Sequence, residues 1–200
     1  MESYNSAILA KKIYDSDFKF FSLKTLKDIL GISKESTFYN AVRRLSDNGI
    51  LRKLEKNKYI LQSAQISDLT LANLLYIPSY ISFESALNIA GIISQFPYEI
   101  TSATVKKSST KKINGKIFSY THLQKSLFWG YYKDDYLIAE PEKAFLDLAY
   151  LSSKGYKKID LDEYDLTKIN KNKIKDYLIK YPVYRQFLRI KEELIKKLKL

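Results

Sequence analysis

Three of the five arginines in this 200-residue chain, Arg43, Arg44 and Arg52, fall within ten residues of one another. A guanidinium fork can bond a phosphate or the edge of a guanine at two points, whereas lysine acts as a point charge. Lysine outnumbers arginine 29 to 5 over the whole chain, so a general excess of basic residues does not by itself explain the cluster. The cluster indicates contact with nucleic acid, and the alternative is an ordinary solvated helix face.

The residues around the arginines have the spacing of an amphipathic helix. Phe38, Val42 and Leu45 recur at i, i+4 and i+7, which predicts a third helix that begins near Lys34 or Ser36 and closes at Asn48-Gly49. The opposite face and its edges then present hydrogen-bonding side chains. The candidates for reading bases are Ser36, Thr37, Tyr39, Asn40 and Arg43. The candidates for holding the DNA backbone are Lys34, Arg44, Arg52, Lys53, Lys56 and Lys58.

The elements on either side of this helix predict a winged helix-turn-helix over residues 1–62. A first helix is expected at about Ser6 to Tyr14, and a second over LKTLKDIL, with Ser22 as its N-cap and Gly31 at its end. After the third helix, the runs ILRKLE and KYIL are expected to form two strands joined by a basic turn. This order of elements is typical of DNA-binding domains, although many winged helices bind proteins instead.

Charge is distributed unevenly along the chain. Residues 1–62 carry a net charge of +5, residues 63–153 are neutral and residues 154–200 carry +7, out of a total of +12. Basic ends around a neutral middle favour a polyanionic partner for the ends and a different role for the middle. A lysine-rich surface that serves solubility alone is the alternative.

Residues 63–77 are interpreted as a linking helix, and residues 78–200 as a small mixed α+β domain with antiparallel strands and C-terminal helices. Within that domain, Asn114-Gly115 predicts a hairpin between the runs YEITSATVKK and KIFSYTHL, and Asp134-Asp135 predicts a second hairpin. Pro141 is expected in the first turn of the helix EKAFLDLAYL. The overall fold class is therefore predicted to be α+β.

Three further helices complete the second domain. A helix capped by Ser82 is expected to turn four residues inward, namely Phe83, Ala86, Leu87 and Ala90. Two basic C-terminal helices are expected on either side of Pro182. The apolar stripe predicted for the last helix is Val183, Phe187, Ile190, Leu194 and Leu198.

Few residues have the chemistry of a catalytic or metal site. The chain has no cysteine and one histidine, His122, which is interpreted as a hydrogen-bonding residue at the end of a strand. Glu142 and Lys143 are adjacent, which does not fit the acidic-x-Lys spacing of metal-dependent nucleases, and no Gly-Ser element precedes Asp160-x-Asp162. We expect no metal, no cofactor and no enzymatic activity, with a nuclease or transferase that uses these carboxylates as a weaker alternative.

The N-terminus lacks the order of a secretory signal, and the longest apolar region, LTLANLLYIPSYISF, is too short and interrupted to span a bilayer. We expect a cytoplasmic protein with no membrane partner.

Four blocks in the middle of the chain resemble the AbiEi-type antitoxins of bacterial abortive-infection systems. These blocks are YISFESALNIAGII, PYEITSATVKK, GKIFSYTHL and AEPEKAFLDLAYL, in the order and spacing of that family, and the resemblance covers roughly residues 5–190. It implies a winged helix-turn-helix followed by an α+β domain. It also implies a transcriptional repressor that binds inverted repeats in its own promoter, and a type IV antitoxin that opposes a nucleotidyltransferase-like toxin with or without direct contact.

The resemblance assigns several residues to family positions without giving them a chemical role. They are Ser82, Glu84, Ser85 and Ala86; Glu99, Thr101 and Ser102; and Pro141, Glu142, Lys143 and Asp147. The hairpin tip, Lys56 to Tyr59, departs from the arginine- and glycine-rich tip common in the family. The tip is therefore expected to contact phosphates. A protein-interaction module, or a stand-alone regulator without a toxin, is the alternative function.

Overall fold

The computed structural model describes residues 5–157, 159–182 and 184–198, in two compact units that meet in sequence between Ser67 and Asp68. Each unit has its own sheet. The helix within the predicted linking segment begins at Asp68 and belongs to the second unit.

The first unit contains three helices and a three-stranded antiparallel sheet. The elements in chain order are α1 (Ser6–Asp15), β1 (Phe20–Ser22), α2 (Leu23–Leu30), α3 (Glu35–Asp47), β2 (Leu51–Glu55) and β3 (Lys58–Leu61). The strand order is β1-β3-β2. The three predicted helices and the β2–β3 hairpin are confirmed, whereas β1 was not predicted. With only three residues, β1 is too short for a period-2 pattern, and its pairing with β3 defines it.

Local signals explain the helix ends of the first unit. The Ser22 hydroxyl accepts a hydrogen bond from the Thr25 N–H at 3.1 Å and caps α2 as predicted. Gly31 ends α2 in the left-handed conformation, with φ of 66°. The buried face of α3 comprises Phe38, Ala41, Val42 and Leu45, which includes the predicted stripe.

The second unit contains a six-stranded mixed sheet. Its strands are β4 (Ser79–Ile81), β5 (Ile100–Thr104), β6 (Ser109–Ile113), β7 (Lys116–His122), β8 (Tyr131–Lys133) and β9 (Leu137–Ala139), in the order β6-β7-β5-β4-β9-β8. Both predicted turns form hairpins, at Asn114-Gly115 and after Lys133.

The expectation of antiparallel strands is wrong for two pairs, because β5 runs parallel to β7 and β4 runs parallel to β9. The Asn114-Gly115 turn joins β6 to β7. Strand β6 is the polar run STKKI, which lacks the alternation of apolar and polar residues that predicts a strand. The predicted partner, β5, pairs with the other edge of β7.

Five helices of the second unit are described. They are α4 (Asp68–Leu75), α5 (Phe83–Ile89), α6 (Pro141–Ser153), α7 (Lys171–Leu178) and α8 (Arg185–Leu198). Every residue of α6 from Glu142 to Leu151 is buried, and α5, α7 and α8 pack against it. In α8 the predicted stripe is buried at Phe187, Leu194 and Leu198, while Val183 lies outside the described residues. Both units therefore mix helices and strands, and the second unit is organised around one enclosed helix.

Candidate nucleic-acid interface

Helix α3 separates an apolar face from a polar one. Four side chains pack into the core of the first unit, whereas Ser36, Asn40 and Arg43, at i, i+4 and i+7, are exposed on the opposite face. Tyr39 is 53% exposed at the edge of this face, and its ring lies 5.4 Å from that of Phe38. Thr37 is half-buried. The packing of one face thus holds the other in a fixed orientation toward solvent.

Arg43 is accessible although it has an acidic neighbour. Its Nε lies 3.6 Å from Asp47 Oδ2, and the two side chains are 79% and 66% exposed. An ion pair this exposed contributes at most a few tenths of a kcal/mol, so a phosphate or a base edge can compete for the guanidinium. Arg44 is also exposed, one position further round the helix.

The N-terminus of α3 leaves backbone donors for an external anion. Lys34 is the N-cap and is exposed, and its side chain makes no capping hydrogen bond. The first N–H groups of a helix carry partial positive charge and bind phosphates readily. Lys34 and these amides together suit a backbone phosphate.

The remaining cationic candidates lie on the β2–β3 hairpin and differ in their exposure to solvent. Lys53 and Lys56 are exposed. Lys58 is half-buried, and its Nζ lies 2.6 Å from Glu55 Oε1, so its charge is compensated within the hairpin. The Arg52 Nε is buried with no hydrogen-bond partner among the described residues. Lys53 and Lys56 are therefore better placed to reach a phosphate than Lys58 or Arg52.

The hairpin tip is anchored to the body of the unit. Asn57 has a φ of 65°, and its carbonyl accepts a hydrogen bond from the Leu23 N–H, at the start of α2, at 3.1 Å. Strand β1 pairs along the outer edge of β3. Burial, with a smaller effect of the neighbouring Tyr39, raises the pKa of Tyr59. The tip is thus a fixed part of the first unit.

In the second unit, residues from three of the resembling blocks converge on one buried network. Ser85 and Thr101 bond reciprocally: the Ser85 N–H donates to Thr101 Oγ1 at 3.0 Å, and the Thr101 N–H donates to Ser85 Oγ at 2.8 Å. The Thr101 hydroxyl also donates to the Ser82 carbonyl at 2.7 Å. Ser82 is the N-cap residue of α5, as predicted, but its side chain makes no capping hydrogen bond, and Thr101 on β5 accepts the Ser85 N–H instead.

The Ser82 hydroxyl bonds instead to a fully buried ion pair, Lys143 with Asp147 on α6. Asp147 accepts four donors: Lys143 Nζ, the Tyr181 hydroxyl at 2.8 Å, the Tyr80 hydroxyl at 3.1 Å and the Ser82 hydroxyl at 3.2 Å. Four donors to two oxygens favour the ionised carboxylate.

Burial acts on every ionisable member of this network. It raises the pKa of Asp147 and lowers the pKa of Lys143, while their mutual attraction opposes both shifts. The pKa of Tyr80 and of Tyr181 is raised well above its ordinary value, mainly by burial and then by the Asp147 charge. With both side chains of the ion pair at 0% exposure, the network is closed to substrate and holds α6 against β4 and the segment after α7.

The carboxylates considered for catalysis also have structural partners. Glu142 Oε1 accepts the Asn170 N–H at 2.8 Å, next to the start of α7. Glu140 accepts from the Tyr177 hydroxyl and from Lys173. Asp160 accepts the Asp162 N–H at 3.0 Å in a short turn. Within the described residues, no group of three histidine or acidic side chains is arranged to hold a metal ion.

The sequence analysis treated Lys143 and Asp147 mainly as part of the architecture and gave them no chemical role. One signal was present: Asp147 lies inside the otherwise apolar run AFLDLAYL, and Lys143 immediately precedes this run, four residues before the aspartate. Tyr80 and Tyr181 could not have been found in this way, because they reach the pair from distant parts of the chain.

The chain matches no protein-family model and no curated protein. None of the helices in the described part of the chain combines the length and apolar character needed to cross a bilayer.

Proposed function

We propose that the first unit is a winged helix-turn-helix that binds DNA, and that the protein is a transcriptional repressor and a type IV antitoxin. The observation that carries the DNA-binding proposal is the exposed face of α3, where Arg43 and its polar neighbours stand opposite a fully packed stripe. In this proposal α3 enters the major groove, as a recognition helix does.

The proposed division of labour follows from exposure. Ser36, Asn40 and Arg43, with Tyr39 and Thr37 at the edges, read base edges. Lys34 with the α3 amides, Arg44, Lys53 and Lys56 hold phosphates, while Lys58 and Arg52 contribute less because of their surroundings within the unit. The DNA that the protein binds in this proposal is its own promoter, which contains inverted repeats. The protein acts in the cytoplasm.

The antitoxin half of the proposal rests on the resemblance. Three of the resembling blocks supply residues of the buried network around Asp147, so those blocks have an architectural role in this chain. The functional partner in this proposal is a nucleotidyltransferase-like toxin encoded beside this chain.

Measuring binding to the upstream DNA and to a random duplex of equal length tests the DNA-binding proposal. Arg43→Ala is expected to weaken binding to the upstream DNA by roughly 10- to 100-fold, the worth of one good base contact, and to affect the random duplex less. Arg44→Ala is the matched control and should weaken both by similar factors. Equal losses on both duplexes for Arg43→Ala would reduce its role to phosphate contact. Failure of the wild-type protein to shift any upstream fragment at moderate salt would refute the proposal.

A protein-interaction module is the second candidate, and one observation favours it. Phe96 and Tyr98, in the segment between α5 and β5, are 86% and 91% exposed. Exposed aromatic side chains close together suit a protein partner. Capture of a partner that depends on Phe96 and Tyr98, by a protein that binds no upstream DNA, would favour this candidate.

A further inference from the structure

The second unit contains a cavity that neither the DNA-binding face nor the buried network uses. Its volume is about 520 Å³, within the range of small-molecule sites. It lies between the end of β7 and the segment that follows α6. The residues that give it chemical character are His122, Gln124, Tyr150, Lys154, Tyr156 and Lys157.

The charge of the cavity wall is positive. Lys154 and Lys157 both line it, and none of the described residues that line it is acidic. Lys157 is partly compensated, because its Nζ lies 2.7 Å from Glu84 Oε1. Lys154 lies with its Nζ 4.4 Å from the centre of the Tyr150 ring. Interaction with the Tyr150 hydroxyl raises the pKa of Lys154, so this lysine is cationic at neutral pH.

An alternative explanation is that these lysines only neutralise the partial negative charge of the carbonyl groups at the C-terminal end of α6. That end already has backbone partners: the Leu151 carbonyl accepts N–H groups of Lys154 and Tyr156 at 3.1 and 3.0 Å, and the Ser152 carbonyl accepts that of Gly155 at 2.9 Å. The turn after α6 therefore satisfies the last carbonyls itself. The ammonium group of Lys154 lies over the Tyr150 ring instead.

His122 adds a hydrogen-bonding group with a defined tautomer. Its Nδ1 lies 3.0 Å from the Lys106 carbonyl, which can only accept, so Nδ1 carries the proton. The Nε2 atom is then an acceptor in the neutral ring and a donor in the imidazolium. This histidine, the only one in the chain, thus lies in the same cavity as two lysines.

Aromatic surface completes the site. Tyr150 is buried, whereas Tyr156 is 72% exposed at the cavity. Aromatic rings offer a stacking surface for any nucleobase, and the Gln124 amide can donate to and accept from a base or a sugar. Cations and stacking aromatics in one concave site suit a phosphorylated nucleoside, and a volume of about 520 Å³ favours a mononucleotide over a duplex.

We propose that this cavity binds a mononucleotide, with Lys154 and His122 at the phosphate, Lys157 beside them and Tyr156 against the base. The site lies wholly within the second unit. It is independent of the proposed DNA binding by the first.

Calorimetric titration of the full-length protein with AMP, GMP, CMP, UMP and inorganic phosphate tests this proposal. At least one nucleotide is expected to bind saturably, and at least 10-fold more tightly than inorganic phosphate. Lys154→Ala and His122→Ala should each weaken nucleotide binding by 10-fold or more, and Tyr156→Ala more than Tyr156→Phe. Lys133→Ala, which removes an exposed lysine of the same unit outside the cavity, is the matched control and should leave binding unchanged.

The absence of saturable binding by any of these nucleotides would overturn the proposal, as would binding that survives both Lys154→Ala and His122→Ala. Equal affinity for inorganic phosphate and nucleotide would refute the nucleoside contact. A Lys154→Ala variant that weakens only promoter binding would reassign the lysine to DNA. Arg43→Ala should not change nucleotide binding. The test of the nucleotide site can therefore fail or succeed independently of the test of DNA binding.

Discussion

Arg43 on α3 and Lys143 on α6 each stand four residues before an aspartate, yet the two pairs have opposite surroundings. Arg43 and Asp47 are 79% and 66% exposed, whereas Lys143 and Asp147 are completely buried. An exposed pair of this kind contributes about 0.3–0.5 kcal/mol and leaves its cation free to bind elsewhere. Removing one partner of a buried pair costs about 3–5 kcal/mol, because the other charge is left uncompensated. The first unit therefore keeps this charge exposed to solvent, and the second uses its charge to fix the packing of its helices.

The largest effect is expected from Lys143→Met. It leaves Asp147 buried without its cation, and we expect the second unit to lose about 3–5 kcal/mol of unfolding free energy. Trp129, the only tryptophan in the chain, lies in the second unit with its ring 5.0 Å from Lys143 Nζ. Denaturant unfolding followed by tryptophan fluorescence therefore reports on the second unit.

Two variants control that experiment. Lys133→Met changes an exposed lysine and should shift the unfolding free energy by less than about 0.5 kcal/mol. Lys143→Met combined with Asp147→Leu should cost less than the sum of the two single changes, since the pair is coupled. Additive losses would mean that the pair does not act as a unit, and the comparison between the two helices would fail.

Gly130→Ala tests how tightly the Lys143 side chain is packed in the second unit. Gly130 and Gly155 both have positive φ values, 71° and 78°, but an added Cβ at Gly130 would lie 2.9 Å from Lys143 Cγ, whereas Gly155 has open space. Gly155→Ala should cost about 1–2 kcal/mol for the left-handed backbone alone. Gly130→Ala should cost about 1–3 kcal/mol more, because it displaces the Lys143 stem. Equal losses, measured by fluorescence-detected unfolding, would show that the stem adapts freely.

Thr101→Val tests the long-range cap of α5. It keeps the shape of the side chain but removes the acceptor for the Ser85 N–H and the donor to the Ser82 carbonyl, at an expected cost of about 1–3 kcal/mol. Thr110→Val, at an exposed position on β6, should change the unfolding free energy by less than about 0.5 kcal/mol. Similar values for the two variants would mean that α5 is held by its apolar contacts alone.

The smallest effect concerns the hairpin lysines of the first unit. Each phosphate contact contributes about 0.9 to the slope of log K against log salt concentration. Lys56→Ala should lower the slope for promoter binding by about that amount, and Lys58→Ala by less, because Glu55 already pairs with Lys58. Binding measured at four or more salt concentrations gives the slopes. A larger change for Lys58→Ala would reverse the assignment of the two lysines.

Features set within a few residues were predictable from the sequence. The stripe of Phe38, Val42 and Leu45 oriented α3, Ser22 and Gly31 set the ends of α2, and the Asn114-Gly115 turn gave a hairpin. Strands β1, β4 and β6 were missed because FFS and SYI are too short, and STKKI is too polar, to show a strand period. The parallel pairings of β5 with β7 and of β4 with β9 were missed because strand order depends on contacts between distant segments.

The sequence by itself determined where a cationic, hydrogen-bonding helix face would lie, because helical periodicity is a property of adjacent residues. It could not determine which charges would be buried, since Arg43–Asp47 and Lys143–Asp147 have the same spacing. Burial of the second pair required Tyr80, Ser82 and Tyr181 to reach α6 from distant parts of the chain. The cavity around His122 and Lys154 likewise exists only because the end of β7 is brought against the segment after α6. Tertiary packing decides these features because desolvation depends on which segments surround a charge.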